Sequence, residues 1–503
     1  MPPQAWLPEP LPAVISKLAG ATPLWLVGGA VRDSLLKRPS SDFDFVVDGN
    51  ALGLARLVAN ALRADYYTLD AERGIGRVIH ATPAGTQTLD FSRLRAPNIA
   101  ADLTDRDFTV NAMAVALADP GHLIDPTLGF GDLRDKRLRV CGPNAIADDP
   151  IRAVRCVRLS IDLGLQIEPE TLQQVSAAAG VIASVSPERL RDELFVLLDQ
   201  ARPAHALRLL DHLGLLEPIL PEAAPLKALA QSPPHAWNGW AHTLTTVKHF
   251  AELLLVLDSE RDDGADADPV LDSLSLRLGR FRLRLNEHFR KQLTLGRTAR
   301  QLALVAAFYH DAGKPAMASV EATGIIRFIG HEANGARLVV ERGRALRLSS
   351  VEIERLQLIV LHHMRPGFLD RAGGVSARAA YRFFRDVGEA GVDIVLLSLA
   401  DLLATYSPPI PPAVWDSRLE IARQLLEAGL EWPPERLAPP PLLRGDKLAQ
   451  AIGIMPGPEV GILLERIREA QAAGEVSTAN EALDLARRLW AEGISGEQEP
   501  PQG

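Results

Sequence analysis

The chain has 503 residues, 47% of them hydrophobic and 23% charged, with a formal net charge of −9 and two cysteines. Its length exceeds what one hydrophobic core can hold, so three or four domains are expected. The acidic balance excludes a globally basic nucleic-acid-binding surface, and two cysteines exclude a disulfide framework and indicate a reducing compartment. We find no signal-peptide pattern at the start and no apolar run of the ~18 residues that span a membrane. We therefore expect a cytoplasmic protein without a membrane partner.

The first part of the chain alternates short apolar runs with helical periods. "LWLV" and "DFDFVV" predict buried strands with a helix from about Ala30 between them, and "ALGLARLVANAL" predicts a second helix. "RVIHAT" and "QTLDFS" predict two further strands, and "DFTVNAMAVAL" predicts a helix. This alternation is typical of an α/β domain with a small sheet.

From about Ala145 the pattern is helical, and Pro150 and Pro187 suit the first turns of helices. Proline-rich segments then divide the helical part of the chain. The predicted domains are a first domain at 1–138, a helical neck at 139–225, a second helical domain at 226–428, a helical tail domain at 429–495 and a disordered end at 496–503.

Two aspartates interrupt the second predicted strand. Asp42 and Asp44 share one face of a strand, while Phe43 and Phe45 share the other. Neighbouring carboxylates repel each other unless a cation lies between them, and oxygen ligands favour Mg²⁺. Such a pair is typical of two-metal phosphoryl transfer. The alternative is a strand end with two solvated aspartates.

A glycine turn precedes this pair in the chain. Gly28 and Gly29 allow close approach of the backbone to a ligand, and the following helix start offers free N–H groups to phosphates. Arg32, on the first turn, can add a bidentate phosphate contact. A phosphate cradle followed by two carboxylates predicts a nucleotide site.

These segments resemble the class II tRNA nucleotidyltransferase and poly(A) polymerase family, within the DNA polymerase β superfamily. The head signature corresponds to "GGAVRD" with "DFD", and four further motifs follow in order, at 102–115, 148–159, 186–194 and 443–483. The resemblance implies nucleotide-binding roles for Asp33, Arg106, Asp107 and Asn111. It also makes Asp90, in "TLDFSRLR", either a third catalytic carboxylate or a structural aspartate.

The third motif suggests how a base could be selected without a template. Asp149 and Arg152 are three residues apart on a predicted helix and so share a face. A carboxylate accepts and a guanidinium donates, so together they can pair with the edge of C or A and reject U and G. A surface ion pair is the alternative, but the resemblance implies the templating role. Arg155 and Arg158 continue this face, as further nucleotide contacts or as solvated arginines.

A second set of residues follows the order His, His-Asp, Asp, which resembles the HD superfamily of metal-dependent phosphohydrolases. Imidazole with carboxylate suits Ni²⁺, Co²⁺ or Mn²⁺. Two intervening histidines would allow a two-metal site. The expected ligands are His242, His310, Asp311, His331, His362 and Asp401, with His363 as the alternative to His362.

The stretch 277–300 carries eight Lys or Arg against one acid. It is either a phosphate-tracking surface for the acceptor arm of tRNA or a solvated face of amphipathic helices.

The implied fold is multidomain α+β, with a polymerase β-like nucleotidyltransferase head containing a small mixed sheet, followed by all-α neck, HD and tail domains. The implied activity is addition or repair of the 3′-terminal CCA of tRNA from CTP and ATP with Mg²⁺, accompanied by accessory HD phosphohydrolase activity. The alternatives are a poly(A) polymerase, a CC-only or A-only enzyme, or an HD phosphohydrolase whose head only binds nucleotide or RNA. The oligomeric state stays open.

Overall fold

The computed structural model describes residues 6–83, 85–259, 268–371, 374–406 and 409–493. It divides into unit 1, Met1–Ser186 with Leu209–Ile219, and unit 2, Pro187–Arg208 with Leu220–Gly503. The predicted disordered end, 496–503, lies outside the described residues. Among the described helices, none combines the length and apolar character that crossing a membrane requires.

A mixed sheet forms the centre of unit 1. In the described ranges it has seven strands: β1 (Leu24–Val27), β2 (Asp42–Val47), β3 (Asp65–Asp70), β4 (Ile75–Thr82), β5 (Gly85–Arg93), β6 (Ala114–Ala116) and β7 (Asp119–Ile124). Their order is β3-β4-β5-β2-β1-β6-β7. β2 and β5 run parallel, and the other neighbouring strands are antiparallel. β2 is therefore a central strand, buried except where its aspartates emerge.

Helices surround this sheet and continue into the predicted neck. They are α1 (Leu11–Ala19), α2 (Gly29–Leu35), α3 (Ala51–Leu62), α4 (Ile99–Thr104), α5 (Gly129–Arg134), α6 (Ala145–Asp148), α7 (Ile151–Leu163) and α8 (Pro169–Ala177), with a short pair of strands, β8 (Arg137–Leu138) and β9 (Gln166–Ile167). α3 begins where the Asn50 side chain accepts a hydrogen bond from the Gly53 amide. α3 packs on β4, so its position fixes that strand.

The helix expected from "DFTVNAMAVAL" is wrong. The segment contains a 3₁₀ turn, Thr109–Asn111, followed by β6, which pairs with β1. Phe108, Val110 and Met113 are all fully buried. A segment buried on every side has no exposed face, so its apolar spacing cannot distinguish a helix from a strand. Sequence analysis also missed β3 and β7.

Unit 2 is mainly helical. The remaining helices are α9 (Pro187–Leu198), α10 (Pro203–His212), α11 (Leu216–Ile219, in unit 1), α12 (Ala223–Lys227), α13 (Gly239–Val256), α14 (Pro269–Leu278), α15 (Arg282–Arg290), α16 (Ala299–Tyr309), α17 (Lys314–Met317), α18 (His331–Ala345), α19 (Ser350–His362), α20 (Arg365–Arg371), α21 (Ala377–Val387), α22 (Ala390–Thr405), α23 (Pro412–Glu431), α24 (Pro434–Leu437), α25 (Gly445–Ile452), α26 (Pro458–Ala472) and α27 (Ala479–Ala491). Two short antiparallel pairs accompany them, β10 (Gln292–Thr294) with β11 (Arg297–Thr298) and β12 (Ser319–Val320) with β13 (Ile326–Arg327).

The core of unit 2 is built around α22. This helix is apolar on nearly all sides and nearly all its residues are buried, as expected for a central helix. It packs on α13, α19 and α23, and α13 and α19 also contact α16. The helices that carry the expected HD ligands are thus neighbours in one bundle.

Leu128 is one of four exposed non-glycine residues in the described part of unit 1 that have a left-handed backbone. Leu128 precedes α5 with φ +61° and is 69% exposed. A left-handed conformation costs an L-residue about 1 kcal/mol or more, and glycine avoids this cost. We expect Leu128→Gly to raise the free energy of unfolding of unit 1 by up to about 1 kcal/mol, as measured by urea denaturation.

Leu57 offers a matched control, because it is 50% exposed but lies within α3. Leu57→Gly should lower the free energy of unfolding by about 1 kcal/mol, since glycine weakens a helix interior. Equal destabilisation by both substitutions would contradict the strain at Leu128.

Candidate active site and metal centre

Three carboxylates lie on one face of the central strands. Phe43 and Phe45 are buried while Asp42 and Asp44 are exposed, as the strand period predicts. β2 and β5 pair in parallel with Asp44 directly beside Asp90. Asp42, Asp44 and Asp90, hereafter the aspartate row, therefore form a set of oxygen ligands from two adjacent strands.

The aspartate row carries mutual repulsion that a cation would relieve. The Asp44 side chain is exposed on its strand, yet the protein around it desolvates its carboxyl group. This desolvation, with the charges of Asp90 and Asp42, raises the pKa of Asp44 to about 6, although Arg106 and Arg77 oppose the rise. A divalent ion between these oxygens would remove the repulsion, so the donor set fits Mg²⁺.

The glycine turn lies beside the aspartate row. Gly28 has φ +75°, and a Cβ atom there would lie 3.6 Å from Oδ2 of Asp44 and 3.4 Å from Nη1 of Arg106. Glycine is required for this conformation, and it leaves the space open for a ligand. The structure thus brings together three elements that the sequence placed far apart: the turn, the carboxylates and Arg106.

A chain of hydrogen bonds connects α2 to α7. Arg32 donates to both carboxylate oxygens of Asp33 at 2.9 Å and to Oδ1 of Asn111. Asn111 donates to Asp107 at 3.5 Å, and Nη1 of Arg155 donates to Asp107 at 2.9 Å. These five residues, all expected to bind nucleotide, hold one another in position in this structure.

The expected base-selecting pair lies at the junction of α6 and α7. Nε of Arg152 lies 3.8 Å from Oδ2 of Asp149, and both side chains are partly exposed. Nη1 of Arg152 also donates to the Ala145 carbonyl at 3.0 Å, which fixes the guanidinium plane. Arg158 lies on the same helix and is half-buried. The pair can therefore present an acceptor beside a donor.

A buried cluster of histidines and aspartates lies in unit 2. Its members come from α13, α18, α22 and the ends of α16 and α19, and their ligand atoms fall into two groups that share Asp311. The groups are His242, His310, Asp311 and Asp401, and Asp311, His331 and His363, with the atoms of each group within 4.8 Å of one another. We call these six residues the histidine centre.

The structure places His363, not His362, in the histidine centre. Nε2 of His363 lies 3.8 Å from Oδ1 of Asp311, and the side chain is buried. His362 is half-buried. Burial, and secondly the charge of Arg365, lower the pKa of this histidine. The expectation of His362 as a ligand is corrected accordingly, because adjacent helical residues point about 100° apart.

Hydrogen bonds orient the imidazoles for metal binding. Nδ1 of His310, His331 and His363 each lie 2.8 Å from a backbone carbonyl oxygen three residues earlier. Each Nδ1 therefore donates, so Nε2 is the ring nitrogen of each imidazole that faces Asp311. Nε2 of His331 is buried without a hydrogen-bond partner. An orphaned acceptor of this kind fits a metal ion.

The pKa values of the histidines differ between the two groups of the histidine centre. Burial lowers the pKa of His363 to about 3, helped by His310 and His331, so this imidazole is neutral and ready to bind a metal. Burial also opposes protonation of His310, but Asp311 and Asp401 raise its pKa to about 10. The two aspartates thus favour positive charge at this end of the histidine centre.

Most basic residues of the 277–300 stretch are paired within unit 2. The carboxylate partners lie 2.6 to 3.9 Å away: Arg277 with Asp416, Arg280 with Glu427, Arg290 with Asp258, Lys291 with Glu389, Arg297 with Glu352 and Arg300 with Asp199. This favours the interpretation of a solvated helix face with ion pairs over a phosphate-tracking surface.

Comparison with known proteins agrees with both sites. Residues 24–139 match the poly A polymerase head domain, 164–227 the probable RNA and SrmB-binding site of polymerase A, and 273–405 the HD domain. The A-adding tRNA nucleotidyltransferase of Deinococcus radiodurans is 34% identical over 477 residues, which are 94% of this chain and 96% of that protein. The chain belongs to the tRNA nucleotidyltransferase family.

Other members of the tRNA nucleotidyltransferase family extend the likeness. The CC-adding enzyme of Geobacter sulfurreducens is 30% identical and covers 95% of each chain. Two solved structures share the fold: a CCA-adding enzyme in complex with CTP (TM-score 0.56, 21% identity, 96% of this chain and 94% of that one) and the Thermotoga maritima CCA-adding enzyme in complex with tRNA (TM-score 0.52, 20% identity, 95% of each). The multidomain α+β fold with a mixed-sheet head and helical neck and HD regions is thereby confirmed. The domain boundaries stay a prediction.

Two residues, Arg77 and Lys314, touch the two sites of this tRNA nucleotidyltransferase but were not among the expected site residues. Arg77 on β4 donates two hydrogen bonds to the carboxylate of Asp90 on β5. Lys314 lies 2.6 Å from Oδ2 of Asp311 and donates to Gln231. Lys314 could have been found from its position three residues after Asp311 at the start of a helix. Arg77 could not, because its partner depends on the register of a hairpin.

Proposed function

We propose that this protein adds nucleotides of the CCA sequence to the 3′ end of tRNA, from CTP and ATP and without a nucleic acid template. The observation that carries the proposal is the aspartate row beside the glycine turn. Carboxylates next to a phosphate cradle suit nucleotidyl transfer, and the names of the relatives point to tRNA as the acceptor. The relatives named above are tRNA nucleotidyltransferases, which favours tRNA over poly(A) addition, and family membership favours an enzymatic head over one that only binds nucleotide.

In the proposed reaction the tRNA 3′-hydroxyl attacks the α-phosphate of the NTP, an O–P bond forms, and pyrophosphate leaves. Mg²⁺ ions held by the aspartate row would activate the hydroxyl and stabilise the leaving group. The chain's own groups position the substrates. The glycine turn leaves room for the triphosphate, and Arg106, whose Nη1 lies beside this turn, offers charge to phosphate oxygens.

A direct test uses three tRNA acceptors that end before the CCA, after the first C, or after both C residues. Each is incubated with one labelled NTP at a time, and products are separated at nucleotide resolution. Incorporation of C, C and A on the three acceptors supports the proposal. Long A tracts on any RNA would instead indicate a poly(A) polymerase.

A partial activity is the second candidate, and a specific observation favours it. Four relatives that align over 91% to 95% of this chain are named A-adding or CC-adding enzymes. Three relatives named multifunctional CCA proteins align over 41% to 71% of it. In the same assay a CC-adding enzyme stops before A, whereas an A-adding enzyme uses only the acceptor that ends in both C residues.

We also propose that the histidine centre binds Ni²⁺, Co²⁺ or Mn²⁺ and hydrolyses phosphate esters. Six nitrogen and oxygen ligands in two groups joined by Asp311 suit such metals better than Mg²⁺. The metal would supply a nucleophilic water at neutral pH. A cytoplasmic location stays a prediction.

Base selection provides a prediction at the α6–α7 junction. If the Asp149 carboxylate excludes U and G, Asp149→Ala should raise misincorporation of UTP or GTP relative to CTP by roughly ten- to a hundredfold, since a bidentate base contact is worth ~1–3 kcal/mol. The measurement is kcat/KM for the four NTPs on tRNA ending before the CCA.

Asp162→Ala is a control at the other end of α7, where Asp162 pairs with Arg38 at 2.9 Å. It should leave the base preference unchanged. If Asp149→Ala lowers kcat/KM for all four NTPs by one common factor, Asp149 supports α7 and does not select the base.

A further inference from the structure

Arg77 closes one end of the aspartate row. Its Nε donates to Oδ1 of Asp90 at 2.8 Å, and its Nη2 donates to Oδ2 at 2.7 Å. Both side chains are partly exposed, at 38% and 21%. This two-point contact fixes the plane of the carboxylate as well as its position.

The register of the sheet places this contact on the face of the aspartate row. Arg77 on β4 is directly opposite Asp90 on β5, and Asp90 is directly beside Asp44 on β2. The next residue of β4, Val78, is fully buried on the other face. Arg77, Asp90 and Asp44 therefore form a line across three strands.

The backbone that carries Arg77 is tightly held. A Cβ atom at the preceding residue, Gly76, would lie 3.0 Å from the Cβ atom of Ala55 on α3 and 3.2 Å from the Tyr66 ring. β4 thus lies directly against α3 and β3 at this point. An arginine on a fixed backbone can hold its partner in one orientation.

Asp90 keeps oxygen lone pairs that this contact does not use. A carboxylate offers about four lone pairs, and Arg77 uses two of them. The remaining lone pairs can still reach a cation shared with Asp44.

We propose that Arg77 is a positioning residue for nucleotidyl transfer, which holds Asp90 as the third oxygen ligand beside Asp42 and Asp44. This inference rests on the proposed function of the head. Arg77 acts on the metal through Asp90, as partners that orient metal ligands generally do. In the alternative, purely structural role, Arg77 would only stabilise the pairing of β4 with β5.

The test is metal-dependent CTP binding in the absence of tRNA, so that no turnover occurs. Labelled CTP is measured by equilibrium dialysis over a series of Mg²⁺ concentrations, which reports on the head and not on the histidine centre. R77M removes the charge and the contact, whereas R77K keeps the charge and loses the two-point geometry. Arg73→Met is the control, because Arg73 pairs with Asp70 in the same β3–β4 hairpin, away from the aspartate row.

Positioning and charge predict opposite results. Loss of positioning should raise the Mg²⁺ concentration for half-maximal CTP binding by about 10- to 100-fold in both R77M and R77K. Removal of a positive charge alone would lower that concentration in R77M. R73M should behave as the unaltered protein, and thermal unfolding shows whether each variant folds; if R77M does not fold, R77K carries the comparison.

A double substitution isolates the route through Asp90. In D90N the R77M change should have no further effect on Mg²⁺-dependent CTP binding, because the group that it positions is already altered. An unchanged or lowered Mg²⁺ requirement in R77M, or a full additional effect of R77M in D90N, would overturn the assignment of Arg77. If the unaltered protein binds no CTP, the series is repeated with labelled ATP, and failure to bind either nucleotide at any Mg²⁺ concentration would overturn the proposed function and this inference with it.

Discussion

Asp44→Asn should reduce nucleotide incorporation by at least about a thousandfold while leaving tRNA binding intact. The expected loss is large because the amide cannot replace a charged ligand in two-metal chemistry. tRNA contacts the protein through phosphates and bases, for which this carboxylate is not needed. Incorporation is measured in single-turnover assays and tRNA binding by fluorescence anisotropy.

The same variant should be at least as stable as the parent protein in EDTA. The pKa of Asp44 is raised to about 6 by enclosure and by the neighbouring aspartates. Above pH 6 the ionised group therefore opposes folding, and an asparagine removes that cost. Solvent access to Asp44 limits the gain. Asp48→Asn, just after β2, is the control and should keep full activity. Near-normal incorporation by Asp44→Asn would show that the aspartate row is not catalytic.

Asp311→Asn should abolish metal binding by the histidine centre and any metal-dependent hydrolysis of phosphate esters. Asp311 contributes to both ligand groups, so its loss affects each of them. Nucleotide addition should continue, because the aspartate row lies in the other unit and uses different ligands. Bound metal is measured by mass spectrometry after dialysis against Ni²⁺, Co²⁺ or Mn²⁺, and hydrolysis with a 2′,3′-cyclic nucleotide.

His362 and His363 provide a matched pair for this experiment. His363→Ala removes a buried ligand of the second group and should lower the bound metal, whereas His362→Ala should not. The reverse result would contradict the rotation of α19 seen in the structure. If the unaltered protein binds none of the three metals, the histidine centre is a structural hydrogen-bond network.

The sequence by itself determined which face of β2 carries Asp42 and Asp44. A strand places alternate side chains on opposite faces whatever the rest of the fold does, so Asp42 and Asp44 had to face away from Phe43 and Phe45. The order of histidines and aspartates along the chain likewise indicated the histidine centre. The first is a local alternation of side chains and the second is an order of residue types along the chain. Both can be recognised without knowing how the segments pack.

Only the tertiary structure decided which long-range partners meet. Asp90 gained its two neighbours from strand pairing, with Arg77 13 residues away across a hairpin and Asp44 on a parallel strand. His363 was chosen over His362 by the rotation of α19 against its neighbours. The residues of "DFTVNAMAVAL" became a 3₁₀ turn and β6, a strand between β1 and β7, because β1 offered a pairing partner. In each case the deciding free energy comes from contacts between segments distant in sequence, which local periodicity does not record.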